Sequence, residues 1–334
     1  GGLVTGWAQA ALDRLDAGLP LALVTVCQAE GSTPRETGAR MLVDPKGQWG
    51  SIGGGNLEYQ ATEQARKLLA EASVRPAFAV QDYPLGPILS QCCGGYVRVL
   101  LERLGAESRH WLERAAEAQR AGQSLTLLAQ VADGALHREV SADPAAAFSF
   151  HRADGRTAPG RRPKLVDDGD TLTDPVSRPR PALFLFGAGH VAQALVPVLK
   201  PCGLDLTWAD NRPGWRPTGE TAITVDERPD PESLVDEAPS DAAFLVFTHS
   251  HDLDYRITER ILARGDARYC GLIGSATKRE RFVHRYRAAG LSAKQIARLT
   301  CPIGAQGPHG KAPAIIAVAV AAEVLAMLAP GAPD

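Results

Sequence analysis

The chain has 334 residues, of which 45% are hydrophobic, so it can bury a sizeable core, and its length favours two domains over one. A formal net charge of −2 gives no global electrostatic reason to bind nucleic acid, and no run approaches the roughly 20 apolar residues that cross a bilayer. Because there is no recognisable signal peptide and six cysteines are too few for a secreted disulfide scaffold, we expect a cytoplasmic protein with no nucleic-acid or membrane partner.

Residues 1–131 mix helical and extended patterns and predict the smaller of two domains, with an α+β fold. The predicted elements are, in chain order, helix Trp7–Leu19, strand Leu21–Cys27, a hairpin of Arg40–Val43 and Gly47–Gly50, helix Asn56–Ala72, strand Tyr96–Glu102, helix Glu107–Ala121 and strand Leu125–Val131. Residues 132–180 are rich in Asp, Gly, Pro and Arg, so they predict a linker or irregular extension with short strands around Ala147–His151.

Residues 181–330 change to short apolar runs separated by helical patterns, which is typical of an α/β domain with a doubly wound, mostly parallel sheet. The predicted strands are Ala182–Phe186, Leu206–Ala209, Ala222–Val225, Ala243–Phe247 and Tyr269–Ile273, and a last apolar helix is predicted at Ala314–Leu328. Such sheets bind ligands at the carboxyl ends of their strands, so the loops after these strands are the first candidates for a site.

The first strand of this half runs directly into a glycine loop and then an apolar helix. Gly187 permits a tight turn, Gly189 lets a phosphate approach the backbone, and Ala192 allows the helix to pack closely on the strand. The spacing predicts a Rossmann-like fold with Gly187, Gly189 and His190 beside the ligand.

An acid and a base follow the next strand. Asp210 lies about twenty residues after the glycine loop, where an acid holds ribose hydroxyls, whereas Arg212 would favour a phosphate. Since the loop selects for anionic charge and close approach, NAD(P), another nucleotide or the phosphate of a pterin cofactor all remain open as ligands.

Two histidines and an acid follow the predicted strand Ala243–Phe247. His249, His251 and Asp254 could bind a metal or transfer protons. The alternative is that these residues cap the next helix and bind loop backbone. His-x-His alone is not a zinc motif.

The segment Gly274–Arg279 gathers a glycine turn, hydroxyls and two cations at the start of a helix. Gly274, Ser275 and Lys278 would suit a phosphate there. The alternative is a capped helix with a solvated basic face.

A second glycine-rich turn, Cys301–Lys311, precedes the last helix. It is not a Walker-type P-loop, because Ala305 stands in place of the first glycine and Ala312 in place of the hydroxyl that binds Mg²⁺. Gly307, Gly310 and Lys311 remain candidates for binding an anion.

Adjacent thiols occur in the N-terminal half, at Cys92 and Cys93, beside flexible glycines. Soft thiolates suit molybdenum, sulfur transfer or zinc. Adjacent cysteines can also be small buried hydrophobic residues, and the absence of a second Cys-x-x-Cys cluster argues against structural zinc.

Seven motifs resemble, in the same order, those of the XdhC/CoxI family. They are Gly31–Met41, Gly50–Glu58 and Gln91–Gly95 in the N-terminal half, and Phe186–Val191, Thr248–His251, Gly271–Ser275 and Cys301–Gly304 in the C-terminal half. The resemblance covers nearly the whole chain. It implies an accessory protein, rather than an enzyme, that binds molybdenum cofactor (molybdopterin) as cargo, promotes its sulfuration with a cysteine desulfurase and delivers it to xanthine dehydrogenase or a related molybdenum hydroxylase.

The resemblance also implies that the glycine turn Gly53–Gly55 contributes to the cofactor site. Members nearer to CoxI have a cysteine where this chain has Asn56, so a thiolate ligand to molybdenum would have to come from Cys92 or Cys93. His249 and His251 are weaker candidates for a metal. We expect mobile glycine loops and a site between the two domains.

Two other functions remain open. The chain could be an NAD(P)-dependent oxidoreductase that uses His190, His249 or His251 for proton transfer. It could also be a scaffold between desulfurase and hydroxylase. A homodimer is expected only because dimers are common.

Overall fold

The structure is a computed structural model that describes residues 6–71, 77–86, 95–153, 167–218 and 223–328. The chain divides into two compact units, Gly1–Pro179 and Arg180–Asp334. Within the described ranges, no helix combines the length and the hydrophobicity required to span a membrane.

The described residues of the N-terminal unit form two antiparallel sheets and three α-helices. Its strands are β1 Leu21–Glu30, β2 Arg40–Val43, β3 Gln48–Gly50, β4 Phe78–Pro84, β5 Tyr96–Leu104, β6 Leu125–Ala132, β7 Ala135–Val140, β8 Ser149–His151 and β9 Thr171–Ser177. Its helices are α1 Trp7–Asp16, α2 Gly55–Ala70 and α3 Arg109–Ala121, with a short 3₁₀ turn at Ala106–Ser108. One sheet has the order β3-β2-β1-β5-β4 and the other has the order β7-β6-β9-β8.

The first sheet is apolar on both faces because its strands carry two alternating sets of hydrophobic residues. In β1, Ala22 and Val24 belong to the core formed with α2. Leu21 and Leu23 point to the other side and join a core with α1, α3 and strand β6. Successive side chains of a strand point to opposite faces, so one run of apolar residues serves both cores.

The segment 132–180 corrects the prediction of a linker or irregular extension. It contributes β7, β8 and β9 to the second sheet, and β6 pairs with both β7 and β9. These strands lie in the N-terminal unit, which is therefore the longer unit and not the smaller one. Strand β4, which the sequence analysis also missed, pairs with β5 along its whole length.

Buried charges explain how the polar strand β9 fits into this sheet. Asp174 is 1% exposed and accepts hydrogen bonds from the guanidinium groups of Arg40 and Arg138. Arg138 also binds Glu102 and lies over the ring of Trp111. Because both carboxylates face guanidinium groups, the network balances its charges away from water.

In the C-terminal unit, residues 180–218 and 223–328 form one parallel sheet of six strands. These are β10 Ala182–Phe186, β11 Asp205–Ala209, β12 Thr224–Asp226, β13 Ala243–Val246, β14 Tyr269–Leu272 and β15 Leu299–Thr300. The helices are α4 His190–Leu199, α5 Leu234–Glu237, α6 His251–Arg264, α7 Ala276–Ala288, α8 Ala293–Ile296 and α9 Pro313–Leu328, with a 3₁₀ turn at Pro231–Ser233. The order β12-β11-β10-β13-β14-β15 is that of a Rossmann-like doubly wound sheet, which confirms the predicted fold class.

Helices cover both faces of the parallel sheet. On one face, α4 and α9 pack against apolar residues such as Leu183 and Leu245. On the other, α5, α6, α7 and α8 pack against residues such as Phe244 and Leu272. All six strands run in the same direction, so every loop that the sequence analysis selected in this half begins at the same edge of the sheet.

Candidate functional site

The glycine loop after β10 passes very close to the end of β13. Gly187 has φ of +113°, and a Cβ atom placed on it would lie 2.1 Å from the carbonyl oxygen of Phe247. A side chain at this position would therefore collide with backbone. Gly189 is different, because a Cβ atom there would meet no heavy atom within 4 Å. Helix α4 begins at the exposed His190 and has no side-chain cap, so its first N–H groups are available to an anion.

Two side chains of the β11 region fix this loop. The Asp210 carboxylate accepts a hydrogen bond from the Ala188 N–H at 2.7 Å, and the Trp208 indole N–H donates to the Gly187 carbonyl at 2.8 Å. Asp210 also accepts bonds from the backbone N–H and the guanidinium of Arg212. Burial alone would raise the pKa of Asp210, but the bonds from Arg212 and Ala188 outweigh it and hold that pKa below its usual range.

The loop after β13 is organised by a buried acid. Asp254 is fully buried and accepts hydrogen bonds from the backbone N–H and the hydroxyl of Thr248 at 2.9 and 2.7 Å. Its other oxygen accepts a bond from the Lys278 ammonium at 2.7 Å. Asp254 thus binds the backbone of this loop, which is the structural alternative to metal binding that the sequence also allowed.

The two histidines of this loop do not join Asp254 in a metal site. His249 and His251 are both exposed, and His251 is the first residue of α6, whose cap is Ser250. Among the residues that the structure describes, no three His, Cys, Asp or Glu side chains are grouped as a metal site would require. The prediction of His249 and His251 as metal ligands gains no support from this geometry.

Two side chains of the predicted anion-binding loop after β14 form hydrogen bonds within the protein. Ser275 caps α7 by accepting a bond from the Lys278 backbone N–H at 3.2 Å. The Lys278 ammonium is buried and also donates to the Ile273 carbonyl at 2.9 Å. Lys278 therefore positions the loop from inside.

A cleft of about 560 Å³ brings together two loops that the sequence analysis had selected separately. Gly274, which follows β14, lines it together with Gly310 and Lys311, which precede α9. A Cβ atom on Gly274 would lie 2.6 Å from the Lys278 side chain, and one on Gly310 would lie 2.8 Å from Ile315. The exposed Lys311 supplies a cation to this cleft, and Pro302, Ile303 and Ile316 supply apolar wall. The arrangement suits an anionic group attached to an apolar or planar body.

Gly307 has a packing role in the same turn. A Cβ atom on it would lie 2.5 Å from the Cβ of Ala319, so the glycine lets the turn lie directly on α9. It does not line the cleft described above.

The N-terminal unit has its own glycine turn, which is held by one carboxylate. Gly53, Gly54 and Gly55 all have positive φ angles, of +121°, +72° and +63°. The Glu58 carboxylate accepts bonds from the N–H groups of Ile52 at 3.0 Å and Gly54 at 2.9 Å. Burial would raise the pKa of Glu58, but these bonds and the Ser51 hydroxyl hold it below its usual range.

Described residues of the other two family-like motifs of the N-terminal half have close contacts in this region. A Cβ atom on Gly53 would lie 2.5 Å from the side chain of Pro34, so the segment Gly31–Met41 packs against the turn. A Cβ atom on Gly95 would lie 2.3 Å from the carbonyl oxygen of Ser32. Cys92 and Cys93 lie outside the described residues, and their predicted role stays a prediction.

Sequence reasoning missed two residues that shape these loops, Glu58 and Trp208, and it missed the pairing of Asp254 with Lys278. Glu58 could have been found, because an acid four residues after a glycine turn at a helix start is placed to bind the turn's N–H groups. Trp208 and Asp254 act across the fold and give no such local signal.

Comparisons with known proteins agree with the motifs. Residues 183–324 match the family model described as the XdhC Rossmann domain, and residues 14–83 match the one described as the XdhC and CoxI family. A Bacillus subtilis (strain 168) protein, named as a probable xanthine dehydrogenase subunit, is 26% identical over 91% of this chain and 92% of its own length.

A second curated protein and a solved structure are also similar to this chain. An uncharacterized Escherichia coli (strain K12) protein, YqeB, is 24% identical over 92% of this chain but only 43% of its own length. A crystal structure from Bacillus halodurans, titled a xanthine dehydrogenase, has a TM-score of 0.74 at 22% identity and covers 96% of this chain and 95% of that one. At that identity the likeness shows a shared fold.

Proposed function

Because the chain belongs to the XdhC and CoxI family, we propose that it binds molybdenum cofactor as cargo, promotes its sulfuration together with a cysteine desulfurase, and delivers it to a molybdenum hydroxylase. The client would be xanthine dehydrogenase or a related enzyme, since the names of two relatives refer to that enzyme. The observation that carries the proposal is the cleft in which Gly274, Gly310 and Lys311 meet.

The cleft has the chemistry that an anionic pterin would need. Its volume of about 560 Å³ falls in the range of roughly 300–1,000 Å³ that is usual for small-molecule sites. Lys311 offers a positive charge to a phosphate, and the glycines at its rim leave backbone close to the ligand. The apolar residues Ile303 and Ile316 would shield the body of the ligand from water.

The surrounding side chains would keep the loops in shape for repeated binding and release. Lys278 and Asp254 form a buried ion pair that connects the loops after β13 and β14. Asp210 and Trp208 hold the first glycine loop. A carrier must release its cargo, so we expect these internal bonds to fix the loops while a small number of exposed groups such as Lys311 contact the cofactor.

The part of the proposal that concerns molybdenum itself rests on Cys92 and Cys93. A soft thiolate would suit the metal and would also suit the transfer of sulfur. No other thiol is proposed for this role. The buried Cys270 is inert by comparison, because burial raises its pKa to about 12.

Cofactor retention and transfer test the proposal. The full chain is incubated with molybdenum cofactor, separated by gel filtration, and mixed with a cofactor-free hydroxylase whose activity is then measured. We expect the wild-type chain to retain and transfer cofactor, and we expect Lys311→Ala to bind it about tenfold more weakly, because a charge-assisted hydrogen bond is lost. Lys294→Ala, an exposed position on α8, is the matched control and should behave as wild type.

Two results would contradict the proposal. One is a wild-type chain that retains no cofactor after gel filtration. The other is equal retention by Lys311→Ala and wild type together with equal transfer, since the cleft would then have no part in binding. Cys92→Ala and Cys93→Ala, assayed in the same way, test the thiolate separately from the cleft.

A further inference from the structure

Helix α9 is apolar on its outer side as well as on the side that packs against the sheet. Its sequence is PAIIAVAVAAEVLAML, in which Glu323 is the one ionisable residue. Residues such as Val320 and Val324 are buried against the sheet. Four exposed residues lie on the opposite side of the helix and form what we call the outer stripe: Ile315, Val318, Ala322 and Ala326. A surface helix normally has polar or charged residues there, and the outer stripe has none.

Helix α6 covers the other face of the same sheet and has the usual polar outer side. Asp252, Arg256 and Arg260 are exposed on it, and the two arginines form ion pairs with acids of the preceding segment. Helix α4, which packs beside α9, resembles α9 instead. It contains no Lys, Arg, Asp or Glu, and its Val198 is 40% exposed. The uncharged surface therefore belongs to the face of the sheet that α4 and α9 cover.

This face has the size of the apolar centre of a stable interface. At about 1.5 Å per residue α9 is roughly 24 Å long and α4 roughly 15 Å, and neighbouring helices lie roughly 10 Å apart, so their outer sides span about 400 Å². A standard interface buries about 800 Å² of each partner, with an apolar centre and a polar rim. The two helices thus have about half of the area that a stable dimer needs, and exposed polar residues such as Gln193 and Gln306 lie beside it as a rim.

The lack of charge indicates which kind of partner covers this face. Permanent interfaces are more hydrophobic than those between proteins that meet and separate, because a face that is repeatedly exposed must also be stable in water. A helix that lies on a membrane has basic residues beside its apolar side, and α4 and α9 have no Lys or Arg. A partner that stays bound, such as a second copy of this chain, fits these observations best.

The outer stripe is complementary to itself. Its first half has the larger side chains, Ile315 and Val318, and its second half has the small ones, Ala322 and Ala326. When two copies of α9 cross in antiparallel directions about a two-fold axis near Val320, Ile315 of each copy faces Ala326 of the other, and Val318 faces Ala322. Each larger residue then meets a small one, which is the arrangement in which packed helices interdigitate.

A cavity of about 430 Å³ lies at the position where the second copy would place its Ile315. Ala322, Ala326 and Met327 line the cavity along α9, and Met327 is 49% exposed. In packed helices a bulky side chain of one helix enters a hollow between side chains of the other. Ile315 is the largest residue of the outer stripe, so it is the side chain best suited to enter this cavity.

We propose that α9 forms the centre of a two-fold interface with α9 of a second copy of this chain, with the two helices antiparallel and α4 of each copy beside them. Because the contact is symmetric, it removes both outer stripes from water and occupies both cavities at once. This interface goes beyond the proposed function and does not depend on it, since no cofactor takes part in the contact.

Sedimentation velocity of the full chain at increasing concentration tests the interface. We expect the wild type to have twice the mass of one chain, with a dissociation constant of about 1 µM or lower. Val318 is 54% exposed, so Val318→Lys should fold, but it would bury an unpaired charge in the interface and should weaken association at least about a hundredfold. Val140→Lys, at a 39% exposed position of β7, is the matched control and should associate as wild type. Circular dichroism should show the same folded spectrum for all three chains.

A mixing experiment tests the antiparallel pairing. Ala322→Glu alone should be as monomeric as Val318→Lys alone, because it also buries an unpaired charge. An equal mixture of the two variants should form dimers within about tenfold of the wild-type affinity, since the introduced ammonium of one chain then faces the introduced carboxylate of the other. Val318→Lys mixed with Ala322→Lys is the control, and it should stay monomeric because two cations would meet.

Three results would overturn the proposed interface. The first is a wild type that is monomeric at every concentration, because the face would then not bind a second copy. The second is unchanged association of both Val318→Lys and Ala322→Glu, which would place the dimer contact on another surface. The third is a mixture of these two variants that stays monomeric although each is folded, since the two positions would then not face each other.

Discussion

The two units each hold a glycine turn with a carboxylate, but the carboxylates reach their turns in different ways. In the N-terminal unit, Glu58 binds the N–H group of Gly54, four residues before it in the chain. In the C-terminal unit, Asp210 binds the N–H group of Ala188, 22 residues before it, across neighbouring strands. Glu58 is partly exposed, whereas Asp210 is 4% exposed.

This difference predicts how each turn responds to substitution. The turn at Gly53–Gly55 depends on contacts formed mostly within one segment, so changing its carboxylate should affect that segment. The loop at Gly187 is bonded to β11 through Ala209 and Trp208, and it lies directly against Phe247 at the end of β13. Changes there should lower the stability of the whole C-terminal unit.

The largest effect is expected for Gly187→Ala. The new Cβ atom would lie 2.1 Å from the Phe247 carbonyl, and alanine rarely adopts φ of +113°. We expect the free energy of unfolding of the C-terminal unit to fall by about 3 kcal/mol or more, measured by denaturant titration. Gly189→Ala is the control and should cost less than about 0.5 kcal/mol, since it has open space and an ordinary φ of −74°. Similar losses for both variants would contradict the steric explanation.

A smaller, pH-dependent effect is expected for Asp210→Asn. Because the pKa of Asp210 is lowered in the folded state, its ionised form stabilises the protein above the ordinary carboxyl pKa, and this contribution is lost as the pH falls through the lowered value. We expect a loss of about 1–2 kcal/mol at neutral pH, discounted because the Arg212 side chain is 40% exposed. The difference from wild type should shrink below roughly pH 4.

Unfolding titrations of both chains at neutral and acidic pH would measure this. Asp205→Asn, at the exposed start of β11, is the matched control and should show little difference at either pH. A difference between Asp210→Asn and wild type that stays constant with pH would show that the charge of Asp210 does not stabilise the loop.

The smallest effect is expected for Glu58→Gln. The side chain is partly exposed and a glutamine oxygen can still accept one of the N–H bonds, so the loss should be about 1 kcal/mol or less. Hydrogen exchange should rise at Ile52 and Gly54 before it rises elsewhere in the N-terminal unit. Glu63→Gln, which breaks an exposed pair with Arg66 on α2, is the control. Faster exchange spread evenly over the unit would contradict a local role for Glu58.

Much of the fold could be predicted where local pattern decides the structure. The bounds of β10 agree with the predicted strand Ala182–Phe186, because a short apolar run ends at a glycine. Strand β9 could not be predicted, since Asp174-Pro175 is typical of a turn. That strand forms because Arg40 and Arg138 stabilise Asp174 from distant parts of the chain.

A local signal for the second sheet was present but was not used. Asp133 and Gly134 have φ of +50° and +71°, the left-handed pair of a two-residue hairpin turn between β6 and β7. An Asp-Gly pair between two extended segments predicts this hairpin, and applying that rule would have placed β7. The polar sequence of β7 obscured it, because only one face of that strand contacts the core.

In the candidate site, too, local sequence pattern could be used for prediction and contacts between distant residues could not. The glycines Gly187, Gly274 and Gly310 could be selected from their motifs. A Cβ atom would meet backbone at Gly187, and it would meet the side chains of Lys278 and Ile315 at the other two. The ion pair between Lys278 and Asp254 could not be predicted, because it depends on the packing of α6 beside α7 and joins residues 24 positions apart. Charge and motif spacing identify which side chains could contact a ligand. In the folded chain some of these side chains, such as Lys278, bind other residues of the protein instead.

The bonds of Asp210 have a consequence for nicotinamide chemistry. In Rossmann enzymes the acid at this position receives the two hydroxyls of the adenosine sugar. Here both carboxylate oxygens already accept bonds, from Ala188 and from Arg212. A dinucleotide could form the sugar contact only by displacing those donors and loosening the loop that must receive its diphosphate. We therefore expect this chain to bind NAD weakly, because NAD would need Asp210 to bind the hydroxyls of its adenosine ribose.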